Sequence, residues 1–186
     1  EHTMLILLDQ DGVLADFERG VHEGWCQQYG GEAPIAAQRQ HFYIRDDTPP
    51  EYHEQLQALY TRAGFFEHLP PKAGAIEAAH ALVAAGHDVR ICTAPINQYR
   101  NCVAEKIAWA EHHLGAEWLH RIIITKDKTW VRGDILIDDK PIISGSLAPT
   151  WQHWLYDAPY NRYLTHAKRV EWTQPDTWQI LLSPTS

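Results

Sequence analysis

Two aspartates with one residue between them follow an apolar segment near the start of the chain. Residues 4–8 are uniformly apolar, and Asp9, Asp11 and Gly12 come soon after them. In an extended chain residues i and i+2 point to the same side, so these two carboxylates face the same way and repel each other. A hard divalent cation such as Mg2+ would compensate that repulsion most simply. The pattern therefore indicates a metal site, and the alternative interpretation is an ordinary polar turn after a strand.

Residues suited to phosphate or metal chemistry also follow three later apolar segments. They are Thr93 after residues 89–92, Lys126 and Lys128 after residues 121–124, and Asp138 and Asp139 after residues 135–137. In an open α/β sheet the functional crevice lies beyond the carboxyl ends of the strands, so we expect these side chains to meet at one edge. The aspartates can hold one Mg2+, and a hydroxyl and an ammonium can hold the remaining oxygens of a bound phosphate.

The pattern after residue 74 predicts the fold class. Helical patterns alternate with short apolar segments, which gives helices at 75–85, 101–114 and 176–182 and strands at 89–92, 121–124, 135–137 and 154–156. In the second helix, Val103, Ile107 and Leu114 fall on one stripe. Strands that alternate with helices form parallel sheets with right-handed connections. We therefore predict an α/β fold with a doubly wound (Rossmann-like) parallel sheet that is flanked by helices.

The segment after the first strand has helical patterns but lacks strong strand patterns. One helix is predicted over residues 17–29, and a second begins at Pro49-Pro50. We interpret residues 16–72 as a small helical cap over the end of the first strand, inserted into an α/β core of residues 1–15 and 73–186. The alternative is a peripheral helical layer of the same domain.

Composition restricts the possible partners. The chain has 186 residues, of which 45% are hydrophobic, and a net charge of -8 without a basic run. This charge argues against a nucleic acid polymer or an anionic membrane surface as the partner, and no apolar stretch reaches membrane-spanning length. Cys26, Cys92 and Cys102 lack metal-site spacing and no signal peptide is visible, which predicts reduced thiols in the cytoplasm. Residues 1–3 are interpreted as a polar leader.

The strand-end motifs resemble those of the haloacid dehalogenase-like (HAD-like) phosphatase superfamily. The matching residues are the stretch Asp9-Gln10-Asp11-Gly12-Val13, Thr93, Lys128 and the pair Asp138-Asp139. Within that superfamily the chain resembles the 5'(3')-deoxyribonucleotidase family. This closer match rests on DGVLADF (11–17), GFFEHLPP (64–71), ICTAP (91–95), TKDKT (125–129), LIDDKP (136–141) and DAPYN (157–161).

The resemblance implies a role for each acid. Asp9 would be the nucleophile that forms an aspartyl-phosphate, and Asp11 would act first as a general acid and then as a general base. Mg2+ would bind Asp9, the backbone carbonyl of Asp11, and Asp139, with Asp138 in support.

The resemblance also implies which residues hold the phosphoryl group. Thr93 would donate a hydrogen bond to a phosphoryl oxygen, and Lys128 would neutralise charge on the phosphoryl group and on Asp9. Lys126 is a further candidate, which either contacts the phosphate or lies only at the surface. Lys140 is expected in solvent.

In nucleotidases of this family, aromatic residues of the cap surround the base. The matching positions are Phe17, Phe42, Tyr43, Ile44 and Phe65. Aromatic faces suit a flat base but select weakly, because every base can stack. The alternative is that these side chains form the interior of the cap.

Two single positions depart from the family pattern, and the segment His41-Phe42-Tyr43 matches the family's base-binding segment only loosely. Gln10 stands between the two acids where an apolar residue is common, and we expect it to point away from the metal with little effect. Ala94 follows Thr93 where a second hydroxyl often occurs, which removes one possible phosphate contact.

The favoured hypothesis is a Mg2+-dependent phosphomonoesterase that dephosphorylates (deoxy)ribonucleoside monophosphates through an aspartyl-phosphate. The alternative is the same chemistry on another small phosphate ester, such as a sugar phosphate, because one fold supports many substrates. A dehalogenase would need neither Asp11 nor the Asp138-Asp139 pair, and a non-catalytic phosphate-binding protein would not need the complete set. By analogy with the family, the protein would form a homodimer.

Overall fold

Six strands lie side by side in a parallel sheet within residues 3–183, the part of the chain that the computed structural model describes. The strands are β1 (Leu5–Leu8), β2 (Asp88–Thr93), β3 (Ile122–Ile124), β4 (Ile135–Asp138), β5 (Gln152–Tyr156) and β6 (Arg169–Val170). Their order is β3-β2-β1-β4-β5-β6, and all neighbours are parallel. The predicted Rossmann-like α/β fold is confirmed. The first two residues of the predicted polar leader, Glu1 and His2, lie outside the described residues.

Four α-helices accompany the sheet within the same residues. They are α1 (Phe17–Tyr29), α2 (His53–Thr61), α3 (Ala75–Ala84) and α4 (Tyr99–Leu114), and short 3-10 helices occur between and after them. α1 begins where the sequence pattern predicts because Asp16 accepts a hydrogen bond from the backbone N–H of Arg19 at 3.1 Å. None of the helices in residues 3–183 is long and apolar enough to cross a membrane.

β1 lies inside the sheet, and its carboxyl end therefore emerges between those of β2 and β4. Leu8 pairs with Ile91 of β2 and with Ile137 of β4. The residues that follow these three positions therefore lie beside one another at the carboxyl edge of the sheet. β1 is uniformly apolar because both faces of the sheet are covered: Ile6 and Leu8 belong to one apolar cluster and Leu7 to another.

Two elements near the end of the chain differ from the sequence-based prediction. β6 is only two residues long, too short to leave a periodic pattern, and it adds a strand beside β5. The predicted helix over residues 176–182 is wrong, because the chain forms two 3-10 helices there, Pro175–Thr177 and Gln179–Leu182.

The buried face of α4 is rotated relative to the predicted stripe. Val103 and Ile107 are only half-buried, whereas the buried positions are Cys102, Glu105, Lys106, Trp109, Ala110 and Leu114. Two of these buried residues are charged. Apolar periodicity could not place them, because it assigns charged residues to the solvent face of a helix.

The segment between β1 and α3 is held against α4. α1 and α2 pack closely at Gly24, where a Cβ would lie 3.0 Å from Cδ1 of Leu59. Three side chains of α4 bond to main-chain atoms of the segment: Asn101 to the carbonyl of Thr61 (3.2 Å), Glu105 to the N–H of Glu67 (3.3 Å) and Trp109 to the carbonyl of Leu69 (2.8 Å). Buried residues of the segment share one apolar cluster with the sheet. The division into a cap (16–72) and a core stays a prediction.

The three cysteines are free thiols. Cys26 is exposed, and Cys92 and Cys102 are buried. Burial raises the pKa of the Cys92 thiol to about 11, so this thiol is a poor nucleophile at neutral pH.

Candidate active site

Three buried aspartates form a compact group at the carboxyl edge of the sheet. One carboxylate oxygen from each of Asp9, Asp138 and Asp139 lies within 4.8 Å of the other two. Asp9 follows β1 directly and Asp138 ends β4, so the pairing of these two strands brings the acids together. Within residues 3–183, the buried Oδ1 of Asp139 has no hydrogen-bond partner. A buried acceptor without a donor is a position that a cation would satisfy.

The ammonium of Lys128 joins two of these carboxylates. Its Nζ lies 2.8 Å from Oδ1 of Asp9 and 2.7 Å from Oδ2 of Asp138. Lys128 begins a short 3-10 helix that Asp127 caps by accepting a hydrogen bond from the N–H of Thr129. Burial alone would lower the pKa of Lys128, but the charges of Asp138 and Asp9 outweigh burial and raise the pKa above its usual value. Lys128 therefore stays protonated.

The pKa values of the three aspartates are shifted in different directions. Burial raises the pKa of Asp9, yet the Lys128 charge and hydrogen bonds reverse this effect and leave the pKa below its usual value. Burial, followed by the charges of Asp9 and Asp138, raises the pKa of Asp139 well above its usual value. Burial and the charge of Asp9 also raise the pKa of Asp138. The raised pKa values of Asp138 and Asp139 reflect burial and mutual repulsion that a bound cation would relieve, and the hard oxygen ligands of the group fit Mg2+.

The segment after β5 orients Asp139, a feature that the sequence analysis missed although it quoted DAPYN. The Tyr160 hydroxyl donates a hydrogen bond to Oδ2, and Nδ2 of Asn161 donates to the backbone carbonyl at 2.9 Å. Burial, and then the charge of Asp139, raises the pKa of Tyr160, so the phenol remains a donor. Gly12 approaches the same carboxylate: a Cβ there would overlap Oδ2, and its φ of 86° is unfavourable for other residues.

Asp11 and Thr93 are joined by Lys106, which the sequence analysis also missed. Nζ of Lys106 lies 2.6 Å from Oδ2 of Asp11 and 2.9 Å from Oγ1 of Thr93. Thr93 ends β2 and is buried, whereas 26% of the Asp11 side chain is exposed. Because Lys106 lies in the middle of α4, a search of strand ends could not find it.

Two lysines near the predicted site have other partners. Lys126 is exposed and its Nζ donates to Oδ1 of Asn97 at 3.0 Å, so it supports the loop after β2. Its contact with phosphate stays a prediction. The expectation that Lys140 lies in solvent is wrong, because it is half-buried with Nζ 5.6 Å and 5.8 Å from the ring centroids of Phe42 and Tyr43. Cation–π attraction explains this position.

The five predicted base-contacting residues fall into two groups. Phe17 packs edge-on against Phe65 with 5.7 Å between ring centroids, and Phe42 packs edge-on against Tyr43 with 5.0 Å. Phe65 and Ile44 are buried, Phe17 and Phe42 are half-buried, and Tyr43 is 59% exposed. The burial of Ile44 and Phe65 favours their interpretation as interior residues, whereas Phe42 and Tyr43 present aromatic surface.

A buried arginine holds the loop that carries Phe42. Nε of Arg39 donates to Oδ2 of Asp47 at 2.6 Å, and its terminal nitrogen donates to the carbonyl of Phe42 at 3.1 Å. The guanidinium also lies over the ring of Tyr160, 5.1 Å from the centroid, and Phe42 packs edge-on against the same ring at 5.6 Å. Because Tyr160 bonds to Asp139, these contacts connect the aromatic loop with the acidic group.

Comparison with solved structures agrees with this fold. A HAD-family hydrolase of Deinococcus radiodurans R1, solved with bound phosphate and sodium, superposes on 98% of this chain and 99% of its own, with a TM-score of 0.57 and 18% identity. This likeness shows that the two chains share a fold, in which strands of a parallel sheet are connected through helices.

Comparison with sequences defines the family. The family described as "5' nucleotidase, deoxy (Pyrimidine), cytosolic type C protein" matches residues 3–183, and the chain belongs to it. The human cytosolic-type 5'(3')-deoxyribonucleotidase is 37% identical over 97% of this chain and 94% of its own length. A Bordetella bronchiseptica protein with a provisional 5'(3')-deoxyribonucleotidase name is 52% identical over 97% of this chain and 96% of its own length. The predicted resemblance is confirmed, and the protein is a phosphoric monoester hydrolase.

Proposed function

We propose that this protein is a Mg2+-dependent phosphomonoesterase that dephosphorylates (deoxy)ribonucleoside monophosphates through an aspartyl-phosphate. The observation that carries the proposal is the state of Asp9, whose buried carboxylate is held by Lys128 at 2.8 Å within a group of three acids. A carboxylate that is kept ionised at a strand end is a competent nucleophile toward phosphorus. Membership of the nucleotidase family supports the same chemistry.

In the first step Asp9 attacks the phosphorus atom of the bound ester. A bond forms between a carboxylate oxygen of Asp9 and phosphorus, while the bond between phosphorus and the ester oxygen breaks. Asp11 donates a proton to the departing oxygen, which leaves as an alcohol. Lys128 and the hydroxyl of Thr93 stabilise the charge that spreads over the phosphoryl oxygens.

In the second step water releases the phosphoryl group and restores Asp9. Asp11, now a carboxylate, takes a proton from the water molecule as the water oxygen attacks phosphorus. The bond between Asp9 and phosphorus breaks, and inorganic phosphate is the product. Because 26% of the Asp11 side chain is exposed, both the leaving group and water can reach this acid.

The acidic group would hold Mg2+ through the side chains of Asp9 and Asp139 and the backbone carbonyl of Asp11, with Asp138 in support. The unpartnered, buried Oδ1 of Asp139 within the described residues fits this assignment. When bound, Mg2+ supplies positive charge that offsets the carboxylates and the substrate phosphate.

The proposed substrate class rests on the loop that carries Phe42 and Tyr43. These rings offer faces on which a nucleobase can stack, and the ammonium of Lys140 lies beside them. The names of the human and Bordetella relatives specify deoxyribonucleotides, which supports the same class. In this proposal residues 16–72 act as the cap that selects the substrate.

Phosphate release from 5' and 3' nucleoside monophosphates, sugar phosphates and an aryl phosphate tests the proposal. Deoxyribonucleotides are expected to react fastest, and either a chelator or Asp9→Asn is expected to abolish turnover. Lys168→Met, which changes an exposed lysine beside Trp154, is the control and should retain full activity. Faster release from sugar phosphates would overturn the substrate class, and full activity of Asp9→Asn would overturn the nucleophile.

A cytoplasmic location and a homodimeric state complete the proposal. The cytosolic type of the human relative supports the location, and the family analogy supports the dimer. Fractionation of cells and light scattering of the purified protein measure these two properties. A monomeric mass at micromolar concentration would contradict the dimer.

A further inference from the structure

We propose that Lys106 is a positioning residue for proton transfer and phosphate binding: its ammonium fixes the carboxylate of Asp11 and directs the hydroxyl of Thr93 toward the phosphoryl group. The inference rests on the proposed function, because it takes Asp11 as the proton-transferring acid and Thr93 as a phosphate ligand. It adds a residue from α4, outside the strand-end motifs, to the machinery of the reaction.

Lys106 brings three groups together at one buried point. Its Nζ lies 2.6 Å from Oδ2 of Asp11, 2.9 Å from Oγ1 of Thr93 and 5.3 Å from the ring centroid of Phe66. Lys106 is only 1% exposed. Burial of a charged ammonium is unfavourable unless an opposite charge and hydrogen-bond acceptors surround it. An apolar residue would fill this position of α4 at lower cost, so the contacts of the ammonium explain why a lysine is present.

The chemistry of lysine determines the direction of the Thr93 hydroxyl. An ammonium has three donors and no acceptor, so Oγ1 of Thr93 must accept the hydrogen bond from Lys106. The hydroxyl hydrogen of Thr93 is then available for another acceptor. Thr93 is the last residue of β2, at the edge where phosphate is proposed to bind, so a phosphoryl oxygen is the natural acceptor.

The same ammonium restricts Asp11. This aspartate lies in the turn after β1 with part of its side chain exposed, and without a partner its carboxylate would sample several rotamers. The charge-assisted bond to Lys106 holds Oδ2 at one position. Oδ1 is then left to exchange a proton with the leaving group or with water.

Lys106 is itself fixed relative to the turn that carries the acids. Nε2 of the buried Gln10, the residue between Asp9 and Asp11, donates to the backbone carbonyl of Lys106 at 3.0 Å. This contact gives Gln10 a positioning role that the sequence-based expectation of little effect did not include. One turn later on α4, Trp109 is bonded to the segment between β1 and α3. The helix is therefore held by hydrogen bonds at Lys106 and again at Trp109, three residues later.

Displacement of Asp11 has a recognisable kinetic consequence. Alkyl esters such as nucleoside monophosphates and glycerol phosphate expel a poor leaving group that needs a proton from a general acid. 4-Nitrophenyl phosphate expels a stable phenolate, which can leave without a proton from a general acid. Loss of Lys106 is therefore expected to slow cleavage of alkyl esters much more than cleavage of the aryl ester, whereas general loosening of the fold would slow both equally.

The experiment compares kcat/KM of Lys106→Met with that of wild type and of Lys168→Met on a deoxynucleoside monophosphate, glycerol phosphate and 4-nitrophenyl phosphate. We expect a loss of about 100-fold on the two alkyl esters and of less than about tenfold on the aryl ester. Lys106→Arg, which keeps the cation, should recover part of the alkyl-ester activity. The inhibition constant of inorganic phosphate should rise about tenfold in Lys106→Met, because Thr93 is no longer directed. Equal losses on all three esters would overturn the inference.

A double-mutant cycle with Asp11→Asn gives a second, independent result. If Lys106 acts through Asp11, Lys106→Met should add little to the alkyl-ester loss that Asp11→Asn already causes. Fully additive losses would overturn the inference.

Two further comparisons keep the test decisive. Thermal unfolding shows whether each variant is folded, and Lys106→Gln, which keeps a donor without the charge, takes the place of Lys106→Met if the latter unfolds. Failure of wild type to hydrolyse nucleotides would contradict the proposed substrate class only. Glycerol phosphate and the aryl ester would still measure the role of Lys106.

Discussion

The hydroxyl of Tyr160 donates a hydrogen bond to Oδ2 of Asp139, so a residue from the segment after β5 orients an acid that follows β4. Asn161 supports the same aspartate through its backbone carbonyl. Partners of metal-binding carboxylates commonly change metal affinity by about 10- to 100-fold when they are removed. Tyr160 is therefore expected to contribute to Mg2+ affinity without contacting the metal.

Tyr160→Phe tests this contribution. The Mg2+ concentration that gives half-maximal phosphatase activity is expected to rise by about 10- to 100-fold, while kcat at saturating Mg2+ changes little. Titration of activity with Mg2+ measures both quantities. Tyr163→Phe, at a tyrosine that is 64% exposed, is the control. An unchanged Mg2+ requirement in Tyr160→Phe would contradict the orienting role.

Removal of Mg2+ is expected to destabilise the wild-type protein, because three buried carboxylates then lie close together. Among residues 3–183, Lys128 is the ammonium that forms ion pairs with two of them, Asp9 and Asp138. Addition of Mg2+ at about 100 times its dissociation constant should stabilise the fold by about 2.7 kcal/mol. Asp139→Asn should abolish this response, and in chelator it should melt at a higher temperature than wild type, since it removes one of the repelling charges. Thermal denaturation with Mg2+ and with chelator measures the effect, and the exposed Asp176→Asn serves as control. A normal Mg2+ response in Asp139→Asn would contradict the assignment of this ligand.

Asp47 is expected to make stability depend on acid pH. Burial raises its pKa, but hydrogen bonds from Arg39 and His41 outweigh burial and lower the pKa to about 2, from a usual 3.8. Because the folded-state pKa is below the unfolded-state pKa, this stabilisation is complete above about pH 4 and is lost as the pH falls toward 2. The contribution is on the order of 1–2 kcal/mol.

Denaturant unfolding of wild type and Asp47→Asn between pH 5 and about pH 2 measures this contribution. The variant should be less stable at pH 5, and the difference in unfolding free energy should shrink as the pH is lowered. A difference that stays constant across this range would show that the Asp47 carboxylate is not held by Arg39 and His41 in solution.

Substitutions in the aromatic loop separate base recognition from packing. Phe42→Ala is expected to raise KM for nucleoside monophosphates about tenfold through loss of stacking, and to leave KM for ribose 5-phosphate unchanged. Ile44→Ala is the matched comparison, because Ile44 is buried and its truncation should lower the free energy of unfolding by about 2–5 kcal/mol without selective change in KM. Equal effects of Phe42→Ala on the nucleotide and on the sugar phosphate would contradict a stacking role.

The strand ends of this protein could be located from sequence because their signal is local. A continuous apolar segment marks a buried strand, and the polar residue that follows it marks the end at the functional edge, as for Asp9, Thr93 and Asp139. The parallel fold then places these residues together without further information. The same reasoning explains why the order of helices and strands was predictable.

Residues that act through tertiary contacts could not be found in this way. Lys106 and Arg39 are charged, and a period-based interpretation assigns both to solvent, yet each is buried by partners that are distant in sequence or on another element. Tyr160 stood inside a quoted segment, but only its contact with Asp139 shows what it does. The two-residue β6 is likewise formed by pairing with β5 and leaves no periodic signal of its own.

The bonds between α4 and the preceding segment have a consequence for how such a protein can change over evolutionary time. Asn101, Glu105 and Trp109 reach the main-chain atoms of Thr61, Glu67 and Leu69, and main-chain atoms are present whatever side chains the segment carries. The side chains of this segment can therefore diversify, while three inherited residues on one helix keep its main chain in the same place.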